Sequence, residues 1–296
     1  MINFIKYRFV YLAISAVVIG AGIVSIATVG YQYSVDFVGG TSLQYAANKD
    51  VSLNELNSAL KSHESNTKEV EVNEKQIDIR IDAMEAAGEP ELRSSLENAL
   101  GANLTLERMQ TVGPTLGAET VQKMLIATLF GIVAIFTYVA YAFKGVHFAL
   151  AAIVALVHDV LVVLGVYSII AYFGGGEFDT LFVTALLTTM SFSVHDTIII
   201  FDKVREYRRT YGTGDVAMYA NRALTETLIR SINNSMTIVF MLLALTLLGG
   251  STIRFFIIAL LIGTITGTYS SPFVATPVWV WLEKHSIRRG KKKSDI

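Results

Sequence analysis

Asp196 lies near the middle of the apolar run LFVTALLTTMSFSVHDTIIIF (181–201), and Arg230 opens the run IRSINNSMTIVFMLLALTLLG (229–249). A lone charge at membrane depth costs about 3 kcal/mol or more, so it is usually retained for a partner or a function. A carboxylate and a guanidinium on consecutive spans can neutralise each other. Desolvation and a nearby guanidinium pull a buried carboxyl's proton affinity in opposite directions. A movement that separates the pair could therefore load or release a proton. One charge crossing the membrane potential supplies about 2.3 kcal/mol per 100 mV. Several protons could then drive a domain movement costing a few kcal/mol.

Polar residues flank both charges at helical spacing. Thr189, Ser193 and Asp196 share one face of the first run, with Thr197 beside them. Arg230, Asn233, Asn234 and Thr237 fall at i, i+3, i+4 and i+7 of the second. Two such stripes are expected to face each other, since lipid leaves polar groups unsatisfied. The bland alternative is polar glue that only holds a bundle together. Asp159 is a second intramembrane carboxylate, in LVHDVLVV (156–163). It follows His158 as Asp196 follows His195, so the Val-His-Asp triplet occurs twice. His195 reads either as a proton relay or as a hydrogen-bonded structural group. Two His-Asp pairs also invite a metal site or a membrane hydrolase. Adjacent residues diverge on a helix, and no further ligand cluster or nucleophile signature accompanies them, so the expectation is no metal, no cofactor and no enzyme.

The elements that must position these groups are membrane helices. The chain has 296 residues, a mean hydropathy of +0.49 and 17% charged residues, against roughly 25% in soluble domains. Six apolar segments are legible, at about 9–29, 121–143, 147–173, 181–201, 229–249 and 254–282. The first could be a cleaved signal peptide, but five further spans favour an uncleaved helix. Gly263, Gly267 and Ser271 form a small-residue face on the sixth, and Pro272 and Pro277 are expected to kink or end it. Lys6, Arg8, Lys144, Lys203, Arg205, Arg208, Arg209 and the tail basic residues Arg288, Arg289, Lys291, Lys292 and Lys293 fall in alternate loops or termini. The loops GGGEFD (174–179) and GGST (249–252) carry no Lys or Arg. Both termini are therefore expected in the cytoplasm. There is no cysteine, so thiol chemistry is excluded.

Residues 31–120 hold 15 acidic and 7 basic side chains, a net of −8 that leaves +7 elsewhere. They are expected to form a small α+β domain on the extracytoplasmic side. The organisation expected is 1–30 for the tail and first helix, 31–120 for this domain, 121–282 for helices two to six with a polar cytoplasmic linker at 202–228 that is helical in its second half, and 283–296 for a basic tail. Within the domain, 31–47 has strand composition broken at Gly39-Gly40. Residues 52–63 read as a helix with a Ser52/Glu55 capping box, and 67–73 and 76–82 as a hairpin joined by Glu74-Lys75. Residues 89–101 read as a helix, and 103–113 as a strand. This β-α-β-β-α-β order is the ferredoxin-like pattern, which names no function.

Several segments resemble the SecF side of the SecD/SecF family, within the RND superfamily. They are VDFVGGT (35–41), VGPTLG (112–117), ALVHDVLVVLG (155–165), SFSVHDTIIIFDKVRE (191–206) and LTETLIRSINNS (224–235). The resemblance covers nearly the whole chain. It implies protein export across the bacterial inner membrane, driven by the proton-motive force, with SecD and the SecYEG channel as partners and a translocating precursor as cargo. It implies H⁺, or else Na⁺, as coupling ion and no nucleic acid. It assigns proton passage to Asp196 and Arg230; Asp159 and His195 are further candidates from the residues alone. Gly39, Gly40, Gly113 and Pro114 frame the outer domain as expected hinge or packing points. Competing readings are half of an RND-type small-molecule efflux pump, and a scaffold with no coupling role.

Overall fold

The computed structural model of the chain describes residues 3–62, 67–73, 75–143, 145–212 and 215–294. After a 3-10 turn, Phe4–Tyr7, come α1 (Arg8–Thr28), a short α2 (Val35–Val38), β1 (Gly40–Ala47), α3 (Leu53–Ser62), β2 (Thr67–Asn73) and β3 (Gln76–Ile81). Then follow α4 (Glu89–Leu100), β4 (Leu104–Val112), α5 (Pro114–Phe143), α6 (Val146–Gly174), α7 (Thr180–Tyr211), α8 (Val216–Leu248), α9 (Ser251–Ser270), a π-helical turn (Ser271–Ala275) and α10 (Thr276–Ser294). Contacts divide them into two compact units. One joins residues up to Gln32 with those from Ala127 onward; the other is Tyr33–Ile126.

The first unit is helical because lipid leaves no other way to satisfy an open backbone. Among the described residues, six helical stretches are long and apolar enough to cross a membrane: Phe4–Thr28, Thr115–Phe143, Val146–Gly174, Thr180–Tyr211, Val216–Leu248 and Thr252–Ser286. Helices approach where side chains are small. A Cβ on Gly22 would lie 2.5 Å from the Gly165 Cα, so α1 and α6 touch backbone to backbone. On α9, Gly263 packs on Thr189, Gly267 on Ser193, and Ser271 Oγ lies 2.8 Å from Thr197 Oγ1 of α7. Three positions spaced by four residues on each side, the last of them in the π turn that follows α9, thus run in register. A second knot joins Phe148, Phe201 and Trp279, with Phe148 5.1 Å and 5.0 Å from the other two ring centroids.

Several expectations change here. Pro272 does not end the sixth span. It sits at the start of the π turn, which absorbs its missing N–H, and α10 continues through Pro277 to Ser294. The basic tail is therefore helical to Ser294, while the side chains of its Arg288, Arg289, Lys291, Lys292 and Lys293 lie outside the described residues, as does Lys144. The polar linker 202–228 is helical in its first half as well as its second, as the end of α7 through Tyr211 and the start of α8 from Val216. Gly212, with φ 73°, ends α7, and the Asp215 carboxylate caps α8 by accepting from Ala217 N–H at 3.1 Å. That polar character marks helix ends projecting beyond the apolar zone rather than loop.

The second unit is a four-stranded antiparallel sheet, order β2-β3-β1-β4. Leu43, Tyr45, Ile77 and Ile79 alternate inward and bury against Leu56 and Leu60 of α3 and Leu92 and Leu96 of α4. Gly101, at φ 60°, terminates α4. The Glu74 half of the expected hairpin turn lies outside the described residues. Residues 31–38 are not strand. Ser34 Oγ accepts from Asp36 N–H at 3.2 Å and starts α2, so local capping overrides strand propensity. Gly39 and Gly40, at φ 69° and 126°, then turn the chain into β1, a path closed to other residues. The Gly113 carbonyl accepts from the N–H groups of Leu116 and Gly117, with Pro114 opening α5. A Cβ on Gly117 would lie 2.7 Å from the Phe37 carbonyl oxygen, so the start of α5 packs tightly on α2.

Candidate functional site

Among the described residues, Asp196 and Asp159 are the most deeply buried carboxylates of the helical unit, one on each side of α7. Asp196 is 4% exposed and points at α8. Its Oδ2 accepts from Ser231 Oγ at 2.6 Å and, at a long 3.5 Å, from Ser235 Oγ. Asp159 of α6 is 5% exposed. Its Oδ2 accepts from Ser193 Oγ of α7 and from Ser270 Oγ of α9, the latter at 2.7 Å. Its Oδ1 lies 2.9 Å from Nδ1 of its own neighbour His158, whose Nε2 is 2.9 Å from Ser15 Oγ of α1.

The expected Asp196–Arg230 pair is absent. Arg230 is exposed, and no ion pair of Asp196 or Arg230 occurs among the described residues. The reason is helical phase. Thr227, Ser231 and Ser235 repeat every four residues and are all buried, so this face meets α7. Arg230 is one position, about 100°, away. Asn233, Asn234 and Thr237 are exposed with it. The predicted polar stripe of α8 is real but faces outward, the reverse of the expectation.

On α7 the stripe divides. Thr189, Ser193 and Thr197 are buried and line the contact with α9; Asp196 turns toward α8. Thr189 Oγ1 bonds back to the Leu186 carbonyl at 2.9 Å, and Thr197 to that of Ser193 at 3.1 Å. His195 is exposed and makes no hydrogen bond to Asp196 among the described residues, so no relay contact exists between them. His158 and Asp159, expected to diverge, do touch, because the imidazole folds back along α6. No group of three or more metal-ligating side chains occurs among the described residues.

Sequence reading missed Ser231, Ser235, Ser270 and Ser15. Serine is common and uncharged, so only its phase relative to the two aspartates could have marked it. The π turn after Ser270 explains part of the difficulty. It shifts helical phase at the point where Ser270 and Ser271 turn to Asp159 and Thr197.

Comparison with known proteins fits this architecture. Residues 92–285 match the family described as Protein export membrane protein SecD/SecF, C-terminal. Protein translocase subunit SecF of Thermobaculum terrenum is 37% identical over 97% of this chain and 96% of its own length. That of Anaerolinea thermophila is 35% identical over 99% and 98%. The crystal structure of SecDF, a translocon-associated membrane protein from Thermus thermophilus, superposes with a TM-score of 0.83 at 29% identity, covering 96% of this chain. The chain spans 39% of that SecDF chain. With this length coverage and six apolar helices, the chain belongs to the SecD/SecF family of protein export membrane proteins, within its SecF branch, as a multi-pass membrane protein of the translocase-subunit type.

Proposed function

We propose that this chain, paired with SecD, couples the proton-motive force to precursor movement and release on the outer side of the membrane, with Asp196 as its principal proton-binding group. The observation that carries the reading is a carboxylate at mid-span, nearly inaccessible, held by two hydroxyls and, among the described residues, by no cation. Hydroxyls satisfy either protonation state of a carboxyl, donating to the anion or accepting from the acid. A fixed guanidinium would hold one state.

Arg230 takes a different role from the one first expected. An exposed guanidinium with Asn233, Asn234 and Thr237 on an apolar helix calls for a polar partner from outside the chain. SecD is that partner here, and the SecDF chain matched over 39% of its length supports the pairing. Asp159 is the second proton-binding candidate, and His195, exposed on α7, is a further one. The strand order β2-β3-β1-β4 supports a ferredoxin-like outer domain across 31–120. Alternating basic loops support cytoplasmic termini in the inner membrane, and hence an extracytoplasmic outer domain. Gly39, Gly40, Gly113 and Pro114 serve as its hinge or packing points. SecYEG and the precursor complete the assembly, with H⁺ as coupling ion.

The test is precursor export in cells lacking their own SecD and SecF, supplied with this chain and its cognate SecD. Wild type restores export, and Asp196→Asn, inserted at equal level, does not. Equal rescue by both would remove the proton role and leave a scaffold.

A further inference from the structure

Asp159 and His158 have surroundings unlike those of Asp196. From the geometry, we infer that Ser15, His158 and Asp159 form a second proton-binding unit, separate from Asp196, whose state is transmitted to α1. The inference deepens the proton-coupled reading and rests on it for its role in export.

The unit is built from four elements. Asp159 and His158 come from α6, Ser15 from α1, Ser193 from α7 and Ser270 from α9. Ser15, His158, Asp159, Ser193 and Ser270 are all buried. The Asp159 carboxylate accepts from both serines, so its remaining bond fixes the imidazole: Nδ1 carries hydrogen and donates to Oδ1. Nε2 is then free to accept from the Ser15 hydroxyl at 2.9 Å. In that state the unit bears one negative charge. One added proton at Nε2 brings it to neutrality, as imidazolium beside carboxylate.

That proton reverses the bond to α1. Nε2 becomes the donor, and the Ser15 hydroxyl must turn its own hydrogen to another acceptor. A serine on a helix commonly finds the carbonyl one turn back. Here that is Tyr11, whose carbonyl oxygen already accepts from Tyr269 Oη of α9 at 2.9 Å. Protonation of His158 therefore competes with the α9–α1 bond. Other contacts hold α1 in place, among them the Gly22–Gly165 approach, the Ser25–Ser168 hydroxyl pair at 3.0 Å, and Phe273 tilted against Tyr11 with centroids 4.5 Å apart. In sequence, α1 leads directly into the Tyr33–Ile126 unit.

The titratable groups facing His158 are few. Asp159 shares its helix, the Tyr269 ring of α9 lies 6.2 Å away, and Tyr11 is one turn from Ser15 on α1. From α7 the side chain facing the unit is Ser193, while Asp196 on the same helix bonds to α8. The ion pairs of Asp159 among the described residues are limited to His158.

The test is nitrogen NMR of the full chain, labelled with ¹⁵N-histidine, assembled with SecD in lipid nanodiscs and followed from pH 5 to 9. The His158 signals are assigned by their loss in His158→Gln. Nδ1 should stay protonated throughout and Nε2 should gain a proton as pH falls. Asp159→Asn should change the Nδ1 signal, because the carboxylate that accepts its hydrogen is gone. Ser15→Ala should keep the titration but abolish a pH-dependent change at a ¹³C-labelled Tyr269 ring. An Nε2 unchanged across the range, an Nδ1 without its proton, or an Nδ1 signal indifferent to Asp159→Asn would overturn the unit. Full export by His158→Gln would overturn its role in coupling. The spectrum needs no precursor, so failure of Asp196→Asn to affect export would sink the proton role of Asp196 without touching it.

Discussion

Asp196 meets α8 through Ser231, at 2.6 Å, and not through Arg230, the residue immediately before it. One residue of helical phase separates a buried hydrogen bond from an outward-facing cation. A double-mutant cycle on thermal stability distinguishes the two. Asp196→Ala with Ser231→Ala should show a coupling of roughly 0.5–1.5 kcal/mol, the range for interhelical hydrogen bonds in bilayers. Asp196→Ala with Arg230→Gln, measured without SecD, should be additive within about 0.5 kcal/mol. A larger coupling to Arg230 than to Ser231 would contradict the geometry.

The register of α7 on α9 makes a second prediction. A Cβ on Gly263 would sit 2.2 Å from Thr189 Cγ2 and 2.4 Å from its Cβ. Trimming Thr189 cannot clear that overlap. Gly263→Ala should cost about 1–3 kcal/mol through overpacking. Gly131 of α5 has no atom within 4 Å of its added Cβ. Gly131→Ala should therefore be neutral or stabilising by up to about 1 kcal/mol, from helix propensity alone. Thermal midpoints of the two variants in one detergent compare them directly, and equal losses would refute the packing account.

Apolar length made the spans readable, and period-two alternation did the same for β2 and β3, because both signals run over many residues at once. The two aspartates stood out because a buried charge is rare. What they bond to did not stand out. The α8 stripe of Arg230, Asn233, Asn234 and Thr237 has correct helical spacing, but spacing fixes a shared face without saying which neighbour it meets. Ser231 and Ser235, equally periodic, occupy the face toward α7. Likewise the small face Gly263, Gly267, Ser271 was visible, but its fit to Thr189, Ser193 and Thr197 needs the relative position of two helices. Residues 31–38 failed as a strand because one serine cap outweighs composition over four residues.

In the Tyr33–Ile126 unit, Tyr45 Oη donates to Glu89 Oε1 at 3.1 Å within the core, and Arg93 Nε lies 3.6 Å from the same oxygen. Burial first, then the Glu89 charge, pushes the Tyr45 hydroxyl well above its usual value of 10. A raised acid stabilises the fold below the unfolded value and loses that contribution only as pH climbs through the folded one. Tyr45→Phe should therefore cost about 1–3 kcal/mol, equally at pH 6 and pH 8, by leaving Glu89 short of a donor. Amide exchange at Leu43 reports the loss, and a loss that differed between the two pH values would argue for another titrating group.

The start of α3 should respond to acid. Glu55 accepts from Ser52 N–H at 3.2 Å, and Ser52 Oγ accepts from Glu55 N–H at 3.3 Å. The Ser52 hydrogen bonds hold the Glu55 carboxyl below its usual value. A depressed acid stabilises above its unfolded value and loses that contribution as pH falls through the folded one. Protection of the Ser52 amide should thus decline as pH drops from 6 to 3, after correction for intrinsic exchange. Glu55→Gln, which keeps an acceptor without titrating, should flatten the decline.

Ser25 and Ser168 give a last prediction about α1. Their hydroxyls lie 3.0 Å apart across the α1–α6 contact, a few residues from Gly22 and Gly165. The chain has no cysteine, so Ser25→Cys with Ser168→Cys introduces a single possible disulfide. Oxidation in membranes should cross-link the pair with high yield, seen as a mobility shift that reductant reverses. If α1 moves against α6 during each cycle, the oxidised double variant should lose most precursor export and regain it on reduction. Each single cysteine should export normally. Full export by the cross-linked chain would mean that α1 stays fixed on α6, and that coupling to the outer unit runs through α5 instead.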